Sequence, residues 1–337
     1  MFTSMDTQSQ AGIAPAPQPL ADRRLWRIAG YAALVAGLAT IVTLDPVVLV
    51  PVAALFIVVV PCEKLFPRHQ QRLLRPGLGT DLAWAIAQPA LRLVGTGAGI
   101  VLAVATFAWL PGMALRPLIS AIPHGVRTVL GVVLFDCLVY WGHRWSHEVP
   151  FLWRFHSIHH SSKRLDWISG VRVHPLDGLV VGPAVVVLLA AGFGVRLAGA
   201  LAVIQLAIGF FLHANVRWRL RILHPIVATP EFHHWHHSSE PDALNMNYAT
   251  LLPIWDVVFG TYFMPGGGRR PEVYGTTTPT PEQFVPQVVH PFRGLRNPVA
   301  VFRHPAAGLR ETLAALRRGT GQIIQASHRR PRPGSTL

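Results

Sequence analysis

Residues 143–160 read HRWSHEVPFLWRFHSIHH and place five histidines directly after an apolar run. Within this stretch His143 and His147 form an HxxxH pair, and residues 156–160 form an HxxHH triplet. A second HxxHH triplet, HHWHH, lies far downstream at residues 233–237. Residues three and four positions apart share one face of a helix, so each group can direct two or three imidazoles to one point.

The spacing of these histidines predicts a metal site. Neutral imidazole is the commonest side-chain metal ligand and binds Zn, Cu, Fe and Ni. Three groups supply eight histidines, two single histidines lie between them, and ten ligands are more than the four of a structural zinc. The sequence therefore favours two metals with open coordination positions. The ten candidates are His143, His147, His156, His159, His160, His174, His213, His233, His236 and His237; His234 is left as a spare between ligands.

Other metal and nucleophile motifs are incomplete in this chain. An HExxH zinc-protease pattern beginning at His147 lacks its second histidine, because Phe151 stands at that position. Residues 231–234 supply one ExxH, whereas a ferritin-like site needs two such pairs and further glutamates. The sequence contains no GxSxG, Walker or GxGxxG motif that would open a nucleophile or phosphate site.

The composition is typical of a membrane protein. Of the 337 residues, 51% are hydrophobic and 14% charged, and the mean hydropathy is +0.36. Soluble domains carry about 25% charged residues. The net charge of +14 does not indicate nucleic-acid binding, because Lys and Arg lie mainly in short loops between apolar runs and no nucleic-acid-binding motif accompanies them.

The apolar runs predict an all-α integral membrane protein with about four transmembrane helices plus a helical hairpin. A span needs about 20 apolar residues. The last run would make about 51 Å of helix, too long for one crossing of about 30 Å, and Gly192 and Gly194 offer a turn within it. The runs are residues 25–44, 47–60, 82–110, 126–141 and 179–212.

Loop charges predict the orientation of these spans. Arg23, Arg24 and Arg27 precede the first run, and a basic loop at 64–75 follows the second. Positive loops face the cytoplasm, and two further crossings return the chain to that side at His143. We therefore expect an active site facing the cytoplasm, in the cell inner membrane or an equivalent membrane.

Composition also predicts the organisation of the chain into segments. We expect a disordered N-terminal lead at 1–22, an N-terminal transmembrane region at 23–125, a catalytic domain at 126–263 and a basic Pro/Gly/Arg-rich tail at 264–337.

The stretch at 136–177, with TPEFHHWHH at 229–237 and WDVVFGTY at 255–262, resembles the fatty acid hydroxylase/sterol desaturase superfamily over about residues 125–263. Its members are membrane-bound di-iron oxygenases that hydroxylate or desaturate lipids. The resemblance implies a cytosolic helical cap over the spans, with the ten histidines as ligands. It also implies two iron ions, O2 as co-substrate and an external electron donor of the ferredoxin, cytochrome b5 or reductase type. Imidazole spacing alone would also accept zinc.

Two alternatives stay open at this point. Within the superfamily, the reaction could be cleavage of an ether lipid or hydroxylation of a carotenoid. A non-catalytic membrane protein that binds or transports metal is a different class, but transporters hold their substrates near mid-membrane, and these histidines lie at span ends and beyond.

An all-imidazole ligand set leaves carboxylates free to hydrogen-bond the ligands from behind and so select their tautomers. The candidates for that role are Asp136, Glu148, Asp177 and Asp242.

Overall fold

The apolar runs form helices, and the computed structural model contains no strands in the part of the chain that it describes. The described residues are 28, 32–33, 35–36, 46–72, 74–107, 109–179, 182–220, 222–266 and 268–293. The helices of this part are α1 (Pro46–Leu65), α2 (Leu78–Ala105), α3 (Leu110–Ser120), α4 (His124–Glu148), α5 (Pro150–His159), α6 (Gly182–Ala190), α7 (Val195–Leu212), α8 (Pro230–His236), α9 (Ile254–Val258) and α10 (Phe284–Val289).

Three of these helices, α2, α4 and α7, are long and apolar enough to cross a bilayer, as in an integral membrane protein. Their outer faces expose large apolar side chains such as Val101, Val129 and Val203. Such exposure is costly in water but not against lipid tails. The predicted runs at 82–110 and 126–141 fall largely on α2 and α4, and the run at 47–60 lies within α1. The run at 25–44 and the lead at 1–22 lie outside the described residues apart from a few isolated positions.

The third run forms a single membrane helix, and a short helix that the sequence did not predict follows it. Helix α2 ends at Ala105, and the backbone of Phe107 adopts the left-handed region at φ 55°. Pro111 then stands in the first turn of the short helix α3. Proline is tolerated there because the first backbone N–H groups of a helix have no intrahelical acceptor. Pro111 therefore stands at the beginning of a helix, directly after the predicted run at 82–110.

The predicted hairpin is present as helices α6 and α7. They are joined at residues 191–194, where Gly192 has φ +91°, a conformation that glycine adopts without a Cβ clash. Phe193 in this turn and Leu188 of α6 pack with Phe135 of α4 in one buried cluster. The hairpin thereby brings the C-terminal end of α7 beside the C-terminal end of α4, where the histidines begin.

A segment of two short turns, residues 166–179, packs on the first half of α2. Asp81 of α2 is fully buried and forms ion pairs with Arg75 and Arg172. Gln88, two turns along, donates hydrogen bonds to the carbonyls of Val171 and Val173 at 2.7 and 2.8 Å. These polar groups of a membrane helix therefore hold the segment between two histidine-bearing stretches.

Part of the predicted basic tail packs against the protein. The ring of Phe284 meets Trp84 of α2 edge-on at 4.9 Å, and Trp84 Nε1 donates to Gln287 at 2.7 Å. Tyr274 is also buried. Residues 268–293 are therefore integrated into the fold, and the remainder of the tail lies outside the described residues.

Candidate metal centre

Nine of the ten predicted histidines come together in two groups. The five-histidine group is His143, His147, His156, His160 and His236, and the four-histidine group is His159, His213, His233 and His237. Within each group, one ring nitrogen of every member lies within 4.8 Å of the others. The pair of groups is a candidate dimetal centre.

Each HxxHH triplet contributes to both groups. In the triplet at 156–160, the two residues four positions apart join the five-histidine group, whereas His159 joins the four-histidine group. In the triplet at 233–237 the assignment is reversed, and His236 alone joins the five-histidine group. Residues i+3 and i+4 both lie near residue i on a helix, but about 100° of rotation separates them from each other. Each short helix therefore lies between the two groups and holds them together.

Hydrogen bonds at Nδ1 determine the tautomers of the five-histidine group. His143 Nδ1 lies 2.6 Å from the carbonyl of Tyr248, and His156 Nδ1 lies 2.9 Å from a carboxylate oxygen of Asp177. His236 Nδ1 lies 2.9 Å from the carbonyl of Met246. Carbonyl and carboxylate oxygens accept, so the proton sits on Nδ1 and Nε2 presents a lone pair.

The Nε2 atoms of this group also indicate that it binds a metal. Nε2 of His147, His160 and His236 is buried with no hydrogen-bond partner among the described residues. A buried polar atom without a partner is costly. A metal ion bound by these nitrogens would remove that cost.

The four-histidine group has the geometry of a metal site. His213 Nδ1 donates to the carbonyl of Gly209 at 2.6 Å, so its Nε2 is a lone-pair donor. That Nε2 lies 3.2, 3.0 and 3.3 Å from Nε2 of His159, His237 and His233. Metal–imidazole bonds of about 2.0–2.1 Å in a tetrahedron place the nitrogens about 3.4 Å apart. Lone pairs this close repel one another, so the donor set fits a bound cation.

Burial keeps these imidazoles in the metal-binding form. Removal from water disfavours the imidazolium cation, and it lowers the pKa of His213 to about 4. The same effect lowers the pKa well below the usual value near 6.5 for His159, His160, His233, His236 and His237. Neutral imidazole is the form that binds metals.

Residues 128–261, which contain both groups, match the family model described as fatty acid hydroxylase. These residues are a fatty acid hydroxylase domain. No solved structure matches the chain.

Several known proteins are similar to about half of this chain. The chain is 36% identical over 173 residues to an ornithine lipid hydroxylase of Rhizobium tropici, covering 50% of this chain and 51% of that protein. It is 31% identical over 148 residues to an alkylglycerol monooxygenase of Danio rerio, covering 43% and 31%. A very-long-chain aldehyde decarbonylase of Oryza sativa is 27% identical over 172 residues, covering 48% and 27%. The chain thus spans about half or less of the length of these relatives.

His174 lies outside both histidine groups of the hydroxylase domain. Its Nδ1 accepts from the backbone N–H of Leu176 at 3.1 Å, and its Nε2 donates to the carbonyl of Val288 at 3.2 Å. The ring packs against Phe155 and Phe292. Because both nitrogens already have backbone partners, we propose that His174 is not a metal ligand.

The spare histidine, His234, also lies outside both groups. Its Nε2 faces the backbone carbonyls of His213 and Ala214 at 3.3 and 3.1 Å, and its Nδ1 lies 3.0 Å from the Tyr274 hydroxyl. Its contacts link the triplet at 233–237 to the ligand His213.

Of the four predicted supporting carboxylates, Asp177 contacts a ligand. Glu148 pairs with Arg144 at 3.1 Å, and Asp242 is largely exposed beside Arg269. Asp136 accepts from the backbone N–H of Leu252 and from Trp255. The last three carboxylates therefore have structural partners other than the histidines.

Two buried carboxylates that the sequence did not point to contact the proposed ligands through backbone carbonyls. Asp256 accepts from the N–H groups of Tyr248 and Ala249 at 2.8 Å each, and the Tyr248 carbonyl accepts from His143. Asp81 binds the side chain of Arg172, whose carbonyl lies 3.3 Å from His159 Nδ1. No spacing rule points to these residues, because the ligand contact is made by a carbonyl that every residue has.

Proposed function

We propose that the protein is a membrane-bound di-iron oxidoreductase that uses O2 and external electrons to hydroxylate or desaturate a lipid. The observation that carries this proposal is the pair of buried groups of neutral imidazoles, nine in all, inside a fatty acid hydroxylase domain. Two bound irons would supply reductive activation of O2 for attack on an unactivated C–H bond. Zinc would fit the same nitrogens but has no redox chemistry.

The chain's own residues prepare the centre for that reaction. Acceptors at Nδ1, which are Asp177 for His156 and the carbonyls of Tyr248 and Gly209 for His143 and His213, keep the Nε2 atoms of these three rings free of a proton. The surrounding side chains, such as Tyr248, Phe232 and Trp235, are fully buried and exclude water. Exclusion of water protects a reactive centre from side reactions.

A lipid substrate is favoured by the relatives and by the place of the centre. The ornithine lipid hydroxylase and the alkylglycerol monooxygenase are named for lipid substrates. Both histidine groups lie at the ends of membrane helices α4 and α7. Hydroxylation consumes O2, two electrons and two protons per C–H bond and releases one water, so an external donor of the ferredoxin, cytochrome b5 or reductase type is part of the proposal.

A second candidate reaction is oxidation of an ether lipid next to its oxygen, which the similarity to alkylglycerol monooxygenases favours. Mass spectrometry of lipids from cells with and without the gene separates the reactions. A product heavier by one oxygen indicates hydroxylation, loss of two hydrogens indicates desaturation, and chain cleavage indicates ether oxidation. Unchanged lipids from cells that make metal-loaded protein would favour a non-catalytic metal-binding or transport role.

Metal analysis tests the dimetal centre directly. Protein purified in detergent is expected to carry two transition-metal ions per chain, predominantly iron. Active material with less than about one metal per chain would contradict the proposal, since nine ligands are too many for a single ion.

We also propose that the histidine-bearing helices form a cap on the cytoplasmic face. The basic residues Arg68, Arg72 and Arg75 support this orientation, because they follow α1 on the side where the histidines lie. Glu272 is exposed on the same side. A cysteine placed there is expected to react with a membrane-impermeant thiol reagent in inverted vesicles; labelling in intact cells would reverse the orientation.

A further inference from the structure

The chain between the ligand-contacting residue Tyr248 and Phe259 runs back alongside the membrane helices. Asp136 of α4 accepts from the backbone N–H of Leu252 at 3.1 Å and from Trp255 Nε1 at 2.9 Å. Gln205 of α7 donates to the hydroxyl of Thr250 at 2.9 Å. Two different membrane helices thus bind the same short segment through polar side chains.

The positions of Asp136 and Gln205, the two anchors, give the depth of the segment in the membrane. Asp136 precedes the ligand His143 by seven residues, and Gln205 precedes the ligand His213 by eight. At about 1.5 Å per residue, both anchors lie roughly 10–12 Å from the histidine ends of their helices. Because α4 and α7 are membrane-spanning candidates, that depth is inside the apolar part of both helices.

Contacts of Phe259 show that the chain then returns to the level of His143. Phe259 stacks on Tyr140 with ring centroids 5.4 Å apart and meets Trp141 edge-on at 4.9 Å. The carbonyl of Phe259 accepts from Arg144, one residue beyond His143. The chain therefore descends from the level of His143 to that of Asp136 and rises again.

Several backbone polar groups of this segment are paired with other groups of the protein. Irregular backbone at membrane depth is tolerated only where its N–H and C=O groups are satisfied within the protein. Asp256 accepts from the N–H groups of Tyr248 and Ala249, and Asp136 accepts from that of Leu252. The Leu251 carbonyl accepts from Ala228. These hydrogen bonds explain why two carboxylates, Asp136 and Asp256, are buried in or beside the membrane spans.

The outer face of the segment is apolar and exposed. Ile254, Val257 and Val258 of α9 are 45%, 51% and 61% exposed, whereas Asp256 on the inner face is fully buried. On α7, Val203 and Ile204 are exposed to a similar extent. In water such an apolar face would be a liability. At the depth of Asp136 it continues the lipid-facing surface of the spans.

We propose that residues 249–259 re-enter the hydrocarbon layer beside α4 and α7, and that Ile254, Val257 and Val258 contact lipid acyl chains. The occupant is the bilayer, because the anchors place the face at membrane depth and the face carries no charged group. The same segment holds the Tyr248 carbonyl on His143, so it connects lipid contact with the five-histidine group. The proposal requires neither bound metal nor turnover and is independent of the proposed reaction.

Site-directed fluorescence in vesicles tests this contact. The free cysteines Cys62 and Cys137 are first replaced, in the full chain, by Ser and Ala, and retained helix content in circular dichroism serves as the check that this background is folded. Val257→Cys is then labelled with bimane in vesicles of phosphatidylcholine or of its analogue brominated in the acyl chains. We expect brominated lipid to remove fluorescence at this position, while aqueous iodide has little effect.

Two labelled positions calibrate the result. Val203→Cys on α7 represents a lipid-facing site, and Glu272→Cys represents an aqueous site that iodide quenches. Loss of fluorescence at Val257 equal to that at Val203 supports re-entry. Iodide quenching equal to that at Glu272 would overturn it, and protection from both quenchers would overturn it in favour of a protein partner or a second copy of the chain.

Discussion

His156 is the proposed ligand whose ring is oriented by a carboxylate. Asp177 accepts from its Nδ1 with both oxygens, at 3.0 and 2.9 Å, and both side chains are nearly buried. A carboxylate behind an imidazole fixes its tautomer and strengthens it as a ligand. Other ligands, such as His143 and His213, use a backbone carbonyl for the same purpose, which no side-chain substitution removes directly.

Asp177→Asn is therefore expected to weaken metal binding at the five-histidine group by about 10–100-fold, the usual effect of losing such a partner. The asparagine can still accept from Nδ1 but supplies no charge. Competition with a chelator measures the loss, and the exposed Asp242→Asn is the control that should leave affinity unchanged. Equal metal affinity in the Asp177→Asn and wild-type proteins would show that the carboxylate does not support the centre.

His174 is a buried histidine whose two ring nitrogens bind backbone groups. Burial lowers its pKa to about 4, below the usual 6.5, so the unfolded chain binds more protons between these values. Its neutral form therefore contributes stability that is present above pH 6.5 and is lost as pH falls through that window. The shift corresponds to roughly 3 kcal/mol, an order-of-magnitude figure.

We expect His174→Gln to retain both metals and to lose less stability than the wild type between pH 6.5 and 4. Glutamine can donate and accept as the imidazole does, but it does not titrate. Metal content and the thermal unfolding midpoint in detergent, measured across that pH range, check both parts. His159→Gln is the comparison that should lose metal, and a metal loss as large in His174→Gln would restore His174 to the ligand set.

At the scale of elements, separate anchors position the two histidine groups. Asp81 and Gln88 of α2 hold the segment at 166–173, whose Arg172 carbonyl lies at His159. In the same segment a Cβ at Gly170 would approach His213 Nδ1 to 2.9 Å, so this backbone lies directly against a second ligand. Asp256, in contrast, holds the carbonyl that binds His143 of the five-histidine group.

Substitutions of Asp81 and Asp256 are expected to affect different histidine groups. Asp81→Asn should weaken metal binding mainly at the four-histidine group, and Asp256→Asn mainly at the five-histidine group. Cobalt(II) reconstitution distinguishes them, because a four-coordinate tetrahedral site absorbs much more strongly than a five-coordinate one. The intense band should fall in Asp81→Asn and persist in Asp256→Asn.

Because either variant could also unfold the protein, circular dichroism provides the control for retained helix. Folded variants that lose both metals equally would contradict separate anchoring and would indicate that the two groups form and fail together.

At the scale of the whole molecule, helix α10 packs against α2, which lies about 200 residues earlier in the sequence. Gln287 of α10 accepts from Trp84 Nε1 and donates to Pro281 O and Ser161 Oγ. Trp84 and Gln287 are fully buried. This contact joins the first described membrane span to residues beyond the hydroxylase domain.

Gln287→Ala is expected to destabilise the protein by about 1–3 kcal/mol, because it leaves the buried indole N–H of Trp84 without its acceptor. The change in the free energy of unfolding, or the shift of the thermal midpoint in detergent, measures it. Gln283→Ala, on the exposed side at the start of α10, is the matched control and should change little. Equal effects of the two substitutions would show that α10 does not stabilise α2.

The sequence by itself determined the three long apolar helices, the hairpin turn at Gly192 and the spacing that lets each histidine triplet direct its imidazoles to one region. These features depend on neighbouring residues: apolar run length, the φ freedom of glycine, and the i, i+4 geometry of a helix. They could be read from the chain without knowing what packs against it. The family resemblance drawn from the same residues is confirmed by the match at 128–261.

Tertiary structure alone decided how the histidines divide between two groups, why His174 lies in neither group, and which membrane-helix side chains bind the segment at 249–259. Each of these depends on segments that meet across more than a hundred residues, such as Tyr248 with His143, Val288 with His174, and Asp136 with Leu252. Two of the deciding atoms are backbone carbonyls, which every residue has. A pattern of side chains cannot therefore reveal them, because the selection is made by packing.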